Sequence, residues 1–139
     1  MDKTGRPRVE LGPLETMPEV LRVALARQPI DPSSPFFFHK TTNRVLLEAA
    51  RVPGYDDTVL WNPDRDITES IIANIVVEID GRKVTPPVEC GLLPGTLRAE
   101  LLAKGEIVER RVSIDELRAV QDFWLINSVR GWLKARLVG

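Results

Sequence analysis

Four short stretches of the sequence carry polar residues whose types and spacing could do chemistry. The first is "PFFFHK", in which Lys40 follows three phenylalanines. Desolvation against apolar side chains lowers the pKa of a lysine and leaves a neutral amine that can attack a carbonyl carbon to form a Schiff base. The alternative is a snorkelling lysine, whose stem covers the aromatic rings while its ammonium group reaches water. The spacing of this stretch alone favours the second interpretation.

The second stretch is "TESIIAN", residues 68–74. Glu69 stands directly before residues 70–79, which we expect to form a strongly apolar strand, and a functional carboxylate there could pair with the protonated ring nitrogen of a cofactor. A surface glutamate at the start of a strand is the ordinary alternative, and taken alone it is favoured. Asn74 lies inside the apolar run, where we expect its side chain to bond to a neighbouring loop.

The third stretch, "GLLPGTLR" (residues 91–98), is a glycine-containing turn that leads into a helix. The first N–H groups of a helix and the positive end of its dipole form an intrinsic anion site, although most helix N-termini bind nothing. The fourth stretch, "INSVRG" (residues 126–131), places Asn127, Ser128 and Arg130 at the end of an apolar strand. These side chains indicate either a plain turn or a hydroxyl and a guanidinium that face an anion.

The order of these stretches is more specific than any one of them. Lys40, then Glu69, then Gly-Leu-Leu-Pro-Gly-x-x-Arg, then Asn-Ser resembles the fold-type IV (class IV) pyridoxal-phosphate enzymes, which include D-amino-acid and branched-chain aminotransferases and 4-amino-4-deoxychorismate lyase. Residues 69–75 match the family signature Glu-x-x-x-x-Asn-Ile. "HKTTNR" most resembles the lyase branch, especially lyase domains fused behind the chorismate-aminating component of folate synthesis. The resemblance extends over about residues 6–138.

The resemblance implies that the cofactor is pyridoxal 5'-phosphate, and it implies a role for five residues around that cofactor. Lys40 would bind the cofactor covalently and transfer protons. Glu69 would face the pyridine nitrogen and keep it protonated. The phosphate would be held by the backbone of Thr96 and Leu97, with a further contact from Ser128.

The same resemblance implies the activity and the partners. The expected reaction is elimination of pyruvate from 4-amino-4-deoxychorismate to give 4-aminobenzoate, with Asn127 or Arg130 near the substrate carboxylates. One alternative is a class IV amino-acid aminotransferase. Another is a truncated domain without catalysis, because family members carry a smaller N-terminal domain that we do not find here. A generic α/β binding module ranks last. We expect a homodimer, with fusion to or pairing with the chorismate-aminating component as a further option.

Length and composition are those of an ordinary soluble globular domain. The 139 residues predict one domain with a sizeable core. A formal net charge of −1 gives no indication of a nucleic-acid or anionic-membrane partner. The single cysteine, Cys90, excludes an internal disulfide and a zinc site built from cysteines. No signal peptide or membrane-spanning run is visible, so we expect a soluble protein of the cytoplasm.

The elements that must position these residues can also be predicted. Strands are expected at residues 20–26, 57–62, 107–113, 122–128 and 132–138, together with a hairpin at 74–87 that turns at Asp80-Gly81. Helices are expected at residues 43–52, at 96–105, and after a capping box formed by Ser113 and Glu116. The predicted fold class is therefore α/β or α+β, a mixed sheet with short helices. Residues 1–35 are expected to be a proline-punctuated interdomain segment, and residues 36–139 the cofactor-binding core.

Overall fold

The computed structural model describes residues 19–30 and 48–138, and within them eight strands form one mixed sheet. In chain order the strands are β1 Leu21–Leu25, β2 Asp57–Trp61, β3 Ile67–Ser70, β4 Asn74–Ile79, β5 Arg82–Thr85, β6 Val108–Glu109, β7 Phe123–Asn127 and β8 Gly131–Leu137. The helices are a 3-10 helix at Val88–Cys90, α1 at Thr96–Ala103 and α2 at Ile114–Ala119. None of the helices in this part of the chain is long and apolar enough to cross a membrane.

The strand order β3-β2-β1-β8-β7-β4-β5-β6 brings distant parts of the sequence together. Parallel pairing joins β1 to both β2 and β8, whereas β7 pairs antiparallel with β8 and with β4. The start of β4 and the end of β7 lie side by side, with Asn74 opposite Ile126, and the three-residue connection at 71–73 keeps the end of β3 beside them. A mixed sheet with few helices confirms the predicted fold class.

Alternate residues of β4 and β7 pack on opposite faces of the sheet, as the pleat requires. Ile75 and Leu125 belong to the main core, which α2 helps to cover. Val76 and Ile126 point to the other face and pack beneath α1 together with Leu101. Helix α1 is therefore fixed over the β4–β7 pair, and its N-terminus lies beside the start of β4.

Local sequence signals correctly located most of these elements. The hairpin β4–β5 turns at Asp80 and Gly81, which have φ values of 54° and 76°. The capping box is present, with Ser113 accepting from the N–H of Glu116 and Glu116 accepting from the N–H of Ser113.

Two predicted elements differ from the structure. Residues 71–73 form a turn rather than the beginning of the apolar strand, and Glu69 lies inside the short strand β3 instead of preceding a strand. The side chain of Ser70 closes this turn through bonds to the backbone of Ala73, a local contact that overrides the β propensity of the two isoleucines. The strand expected at 107–113 contracts to Val108–Glu109. Half of the helix expected at 43–52 lies outside the described residues, and the described half, 48–52, has helical conformation at Glu48 and Ala49.

Candidate functional site

A cavity of about 220 Å³ lies where the end of β3, the start of β4, the N-terminus of α1 and the β7–β8 turn meet. Five of the seven predicted site residues line it: Glu69, Thr96, Leu97, Asn127 and Ser128. These residues come from three separate parts of the sequence. The short connection between β3 and β4 brings Glu69 to the cavity, the pairing of β7 with β4 brings Asn127 and Ser128, and the bond from Gly95 to Asn74 brings the start of α1. Of the remaining two predicted residues, Arg130 is not among the lining residues and Lys40 lies outside the described part of the chain.

Glu69 is the one acidic residue among the described residues that line this cavity. Its residue is 5% exposed, and among the described residues its carboxylate has one hydrogen-bond donor, the N–H of Leu93 at 3.3 Å. Burial raises the pKa of Glu69 to about 8, against a small opposing effect of that single hydrogen bond. A carboxylate held in this way would gain a strong partner from a cationic N–H group that entered the cavity.

The N-terminus of α1 provides the backbone donors of the cavity. The first bond within the helix runs from the N–H of Ala99 to the carbonyl of Gly95, so the N–H groups of Thr96, Leu97 and Arg98 come before the helical ladder. Thr96 and Leu97 line the cavity, which places the positive end of the helix dipole at its wall. This end of the cavity is suited to an anion.

Asn74 holds the turn that precedes α1. Its side-chain amide donates to the carbonyl of Leu93 at 3.0 Å, and its amide oxygen accepts from the N–H of Gly95 at 2.9 Å. The expectation that Asn74 bonds to a neighbouring loop is therefore confirmed. This loop, residues 93–95, forms part of the wall of the cavity, a position that the sequence did not predict.

The β7–β8 turn forms another part of the wall. Asn127 donates to the carbonyl of Ile72 at 3.1 Å and accepts from the N–H groups of Val129 and Arg130. Its side chain thus braces two turns against each other. Ser128 is exposed at the mouth of the cavity, whereas Arg130 contributes its N–H to the turn and is not among the lining residues.

Arg98 is a residue of this region whose burial the sequence did not reveal. It lies in α1 with 3% exposure and also lines the cavity. Its guanidinium donates to the carbonyl of Pro86 at 3.0 Å and to the carboxylate of Glu109 at 2.6 Å. The arginine of "GLLPGTLR" therefore ties α1 to the end of β5 and to β6.

Lys40 lies outside the described residues, together with the three phenylalanines before it. Its role as the reactive lysine stays a prediction. The described residues give the cavity a buried carboxyl group at one side and a helix N-terminus at another.

The chain matches the family model described as amino-transferase class IV over residues 9–138. The chain belongs to the class IV aminotransferase family. This is a family of pyridoxal-phosphate-dependent aminotransferases and lyases, so the predicted family and its cofactor are confirmed.

Individual relatives fall in both branches of the class IV family. A Schizosaccharomyces pombe protein provisionally named aminodeoxychorismate lyase is 30% identical over 149 residues, which cover 99% of this chain and 64% of the relative. A solved structure from Mesorhizobium loti, provisionally assigned as an amino-acid aminotransferase, is 32% identical with a TM-score of 0.73 and covers 86% of this chain and 60% of that one. The 4-amino-4-deoxychorismate lyase of Pseudomonas aeruginosa is 23% identical with a TM-score of 0.69, covering 85% and 47% of the two chains, and supports the fold. The chain spans less than two thirds of each of these relatives.

Proposed function

We propose that the cavity binds pyridoxal 5'-phosphate and that the protein is a lyase that converts 4-amino-4-deoxychorismate to pyruvate and 4-aminobenzoate. The observation that carries the proposal is Glu69, a buried carboxylate with one backbone donor in the described structure. The cavity also receives the N-terminus of α1. A cofactor with a protonated ring nitrogen and a phosphate would satisfy both features at once.

The residues of the chain would divide the work as follows. Glu69 would accept a hydrogen bond from the protonated ring nitrogen, and the positive charge of that nitrogen would offset the cost of ionising a buried carboxyl group. The N–H groups of Thr96 and Leu97 and the hydroxyl of Ser128 bind the phosphate oxygens. Lys40 attaches the cofactor and transfers protons at its Nζ atom. When bound, the cofactor supplies an electron sink for the negative charge that develops on the substrate.

Asn127 and Arg130 would act at the substrate carboxylates. The Asn127 amide bonds to the backbone of two turns, and these bonds suit a residue that shapes the substrate side of the cavity. Arg130 follows in the same turn, and its guanidinium would provide the charge that a dicarboxylate substrate requires.

The lyase assignment has its support in the S. pombe relative and in the "HKTTNR" sequence around Lys40. The second candidate is an amino-acid aminotransferase of the same family, which the similarity to the M. loti structure favours. The third candidate is a domain of this family that binds the cofactor and has no turnover of its own.

Cofactor binding and turnover are best tested in two steps. The purified chain is titrated with pyridoxal phosphate, reduced with borohydride and examined by peptide mass spectrometry. We expect a pyridoxyl group on Lys40 that is absent in Lys40→Ala. Lys104→Ala serves as the matched control, because Lys104 is exposed at the far end of α1 and pairs with Glu100. Labelling that persists in Lys40→Ala would overturn the role of Lys40.

The reaction is then assigned by offering each substrate separately. Release of pyruvate together with 4-aminobenzoate from 4-amino-4-deoxychorismate would support the lyase. Transfer of an amino group from an amino acid to a 2-oxo acid would instead support the aminotransferase. Cofactor binding without either product would identify a domain that binds the cofactor and has no activity alone.

The proposal includes an organisation for the protein. We expect residues 36–139, completed by strand β1 in the middle of the sheet, to form the cofactor-binding core of a cytoplasmic homodimer, in a protein that is fused to or paired with the chorismate-aminating component. Light scattering of the chain would give the mass of a dimer if this organisation is right, and the mass of a monomer if the second copy is not needed.

A further inference from the structure

We propose that Asn74 is a positioning residue that sets the phosphate-binding end of the cavity relative to Glu69. This inference rests on the proposed function and goes beyond it, because Asn74 lines the cavity but directs both polar atoms of its amide to the protein backbone. The consequence is specific: loss of Asn74 should weaken recognition of the phosphate while leaving recognition of the pyridine ring largely intact.

The first argument comes from the position of Asn74 in the sheet. It begins β4, is 5% exposed, and shares the face of Val76, which packs beneath α1. A buried amide on an apolar face has to be hydrogen-bonded, since an unsatisfied one is removed from water without a compensating bond. Asn74 meets this requirement through two bonds to the backbone of the turn at residues 93–95.

The second argument is that Asn74 bonds on both sides of Pro94. Its amide nitrogen bonds to the carbonyl of Leu93 and its amide oxygen to the N–H of Gly95. Proline has no N–H of its own, so this turn has few backbone donors with which to fix itself. The Asn74 side chain therefore determines where the chain enters α1, and with it the direction of the N–H groups of Thr96 and Leu97.

Gly95 supplies a third, independent observation. Its backbone angles, φ −76° and ψ 164°, are ones that any residue adopts, so conformational freedom does not explain a glycine here. A Cβ atom at position 95 would instead lie 2.7 Å from the amide oxygen of Asn74. The glycine allows the backbone to approach the Asn74 side chain closely, and the two residues form a matched pair.

Leu93 connects this pair to the other end of the cavity. Its N–H donates to Glu69 and its carbonyl accepts from Asn74, so one residue joins the carboxylate to the clamp. Because Glu69 and the N-terminus of α1 line the same cavity, their separation is fixed through Leu93 and Asn74. A ligand that bridges the two ends would be sensitive to any change in this link.

The test compares two ligands that differ only in the phosphate. Dissociation constants for pyridoxal phosphate and for pyridoxal are measured by tryptophan fluorescence on the full chain, and their ratio gives the preference for the phosphate. In Asn74→Ala we expect the preference to fall about tenfold, mainly through weaker binding of pyridoxal phosphate. A residue that merely stabilises the fold would weaken both ligands equally and leave the ratio unchanged.

Asn62→Ala is the matched control. Asn62 is also a buried asparagine, and its side chain makes three bonds to backbone groups, those of Cys90, Asp64 and Asp66, but it does not line the cavity. We expect this variant to be destabilised while it keeps the wild-type ligand ratio. If both asparagine variants changed the ratio equally, the inference would be overturned.

Gly95→Ala provides a second variant that keeps the Asn74 side chain. The added methyl group must displace the amide oxygen of Asn74, so the phosphate preference should fall here too. An unchanged preference in both Asn74→Ala and Gly95→Ala, in a wild type that binds pyridoxal phosphate, would refute the positioning role alone. A wild type that binds neither ligand would overturn the proposed function and this inference together.

Discussion

The buried carboxylate of Glu69 should make the stability of the cofactor-free protein fall with rising pH. The pKa of Glu69 is raised from 4.5 to about 8 by burial. In the unfolded chain this carboxyl group ionises near its ordinary pKa, whereas in the folded chain it keeps its proton up to about pH 8. The folded state therefore binds more protons between these two values, and stability must decrease across that window.

The size of the effect follows from the shift. Each unit of pKa difference corresponds to about 1.4 kcal/mol, so the full change between the two pKa values amounts to about 5 kcal/mol at most. Water that enters the cavity as Glu69 ionises would lower this figure, because it partly restores the solvation of the carboxylate. Above about pH 8 the profile should become level with respect to this group.

Glu69→Gln is the appropriate perturbation. The amide oxygen of glutamine can still accept from the N–H of Leu93, and the side chain does not ionise. We expect the free energy of unfolding of the variant to match that of the wild type near pH 5. As the pH rises the variant should become the more stable of the two, by about 1.4 kcal/mol for each pH unit at first.

Urea unfolding of the cofactor-free proteins across this pH range measures the difference directly. Glu78→Gln is the matched control, because it makes the same carboxylate-to-amide change at an exposed position of β4. Parallel curves of unfolding free energy against pH for the wild type and Glu69→Gln, from pH 5 to about pH 8, would contradict the prediction. Glu69 would then not be desolvated as the structure indicates, and its need for a cationic N–H partner would lose its basis.

Other predictions concern the elements that carry the site. Arg98→Met should lower the free energy of unfolding by about 2 kcal/mol, because the carbonyl of Pro86 loses its charged donor. Glu109→Gln should lower it by less, because the side chain of Glu109 is half exposed. Equal losses for the two variants in urea unfolding would contradict this prediction. Ser113→Ala should cost about 1 kcal/mol by removing the N-cap of α2, with Ser113→Thr restoring most of it in thermal unfolding. Gly81→Val should cost about 1–2 kcal/mol, since φ is +76° there, and an unchanged melting temperature would show that the turn tolerates another geometry.

The local elements of this protein could be predicted from the sequence because their causes are local. The Asp80-Gly81 dipeptide has the residues that a tight hairpin turn requires, and Ser113 with Glu116 forms a cap within four residues. The prediction that residues 71–73 begin a strand was wrong, and the cause is again a local contact. Ser70 bonds to the backbone of Ala73, and this contact competes with the β propensity of the isoleucines between them.

The sequence by itself determined which residues to examine and which family the chain belongs to, because residue order and type are what a family signature records. It did not determine the environment of those residues. The burial of Glu69, its link to Asn74 through Leu93, and the bracing role of Asn127 depend on β3, β4 and β7 meeting in one sheet. Desolvation and hydrogen bonding are properties of neighbours in space, and here those neighbours are up to 55 residues apart in the chain.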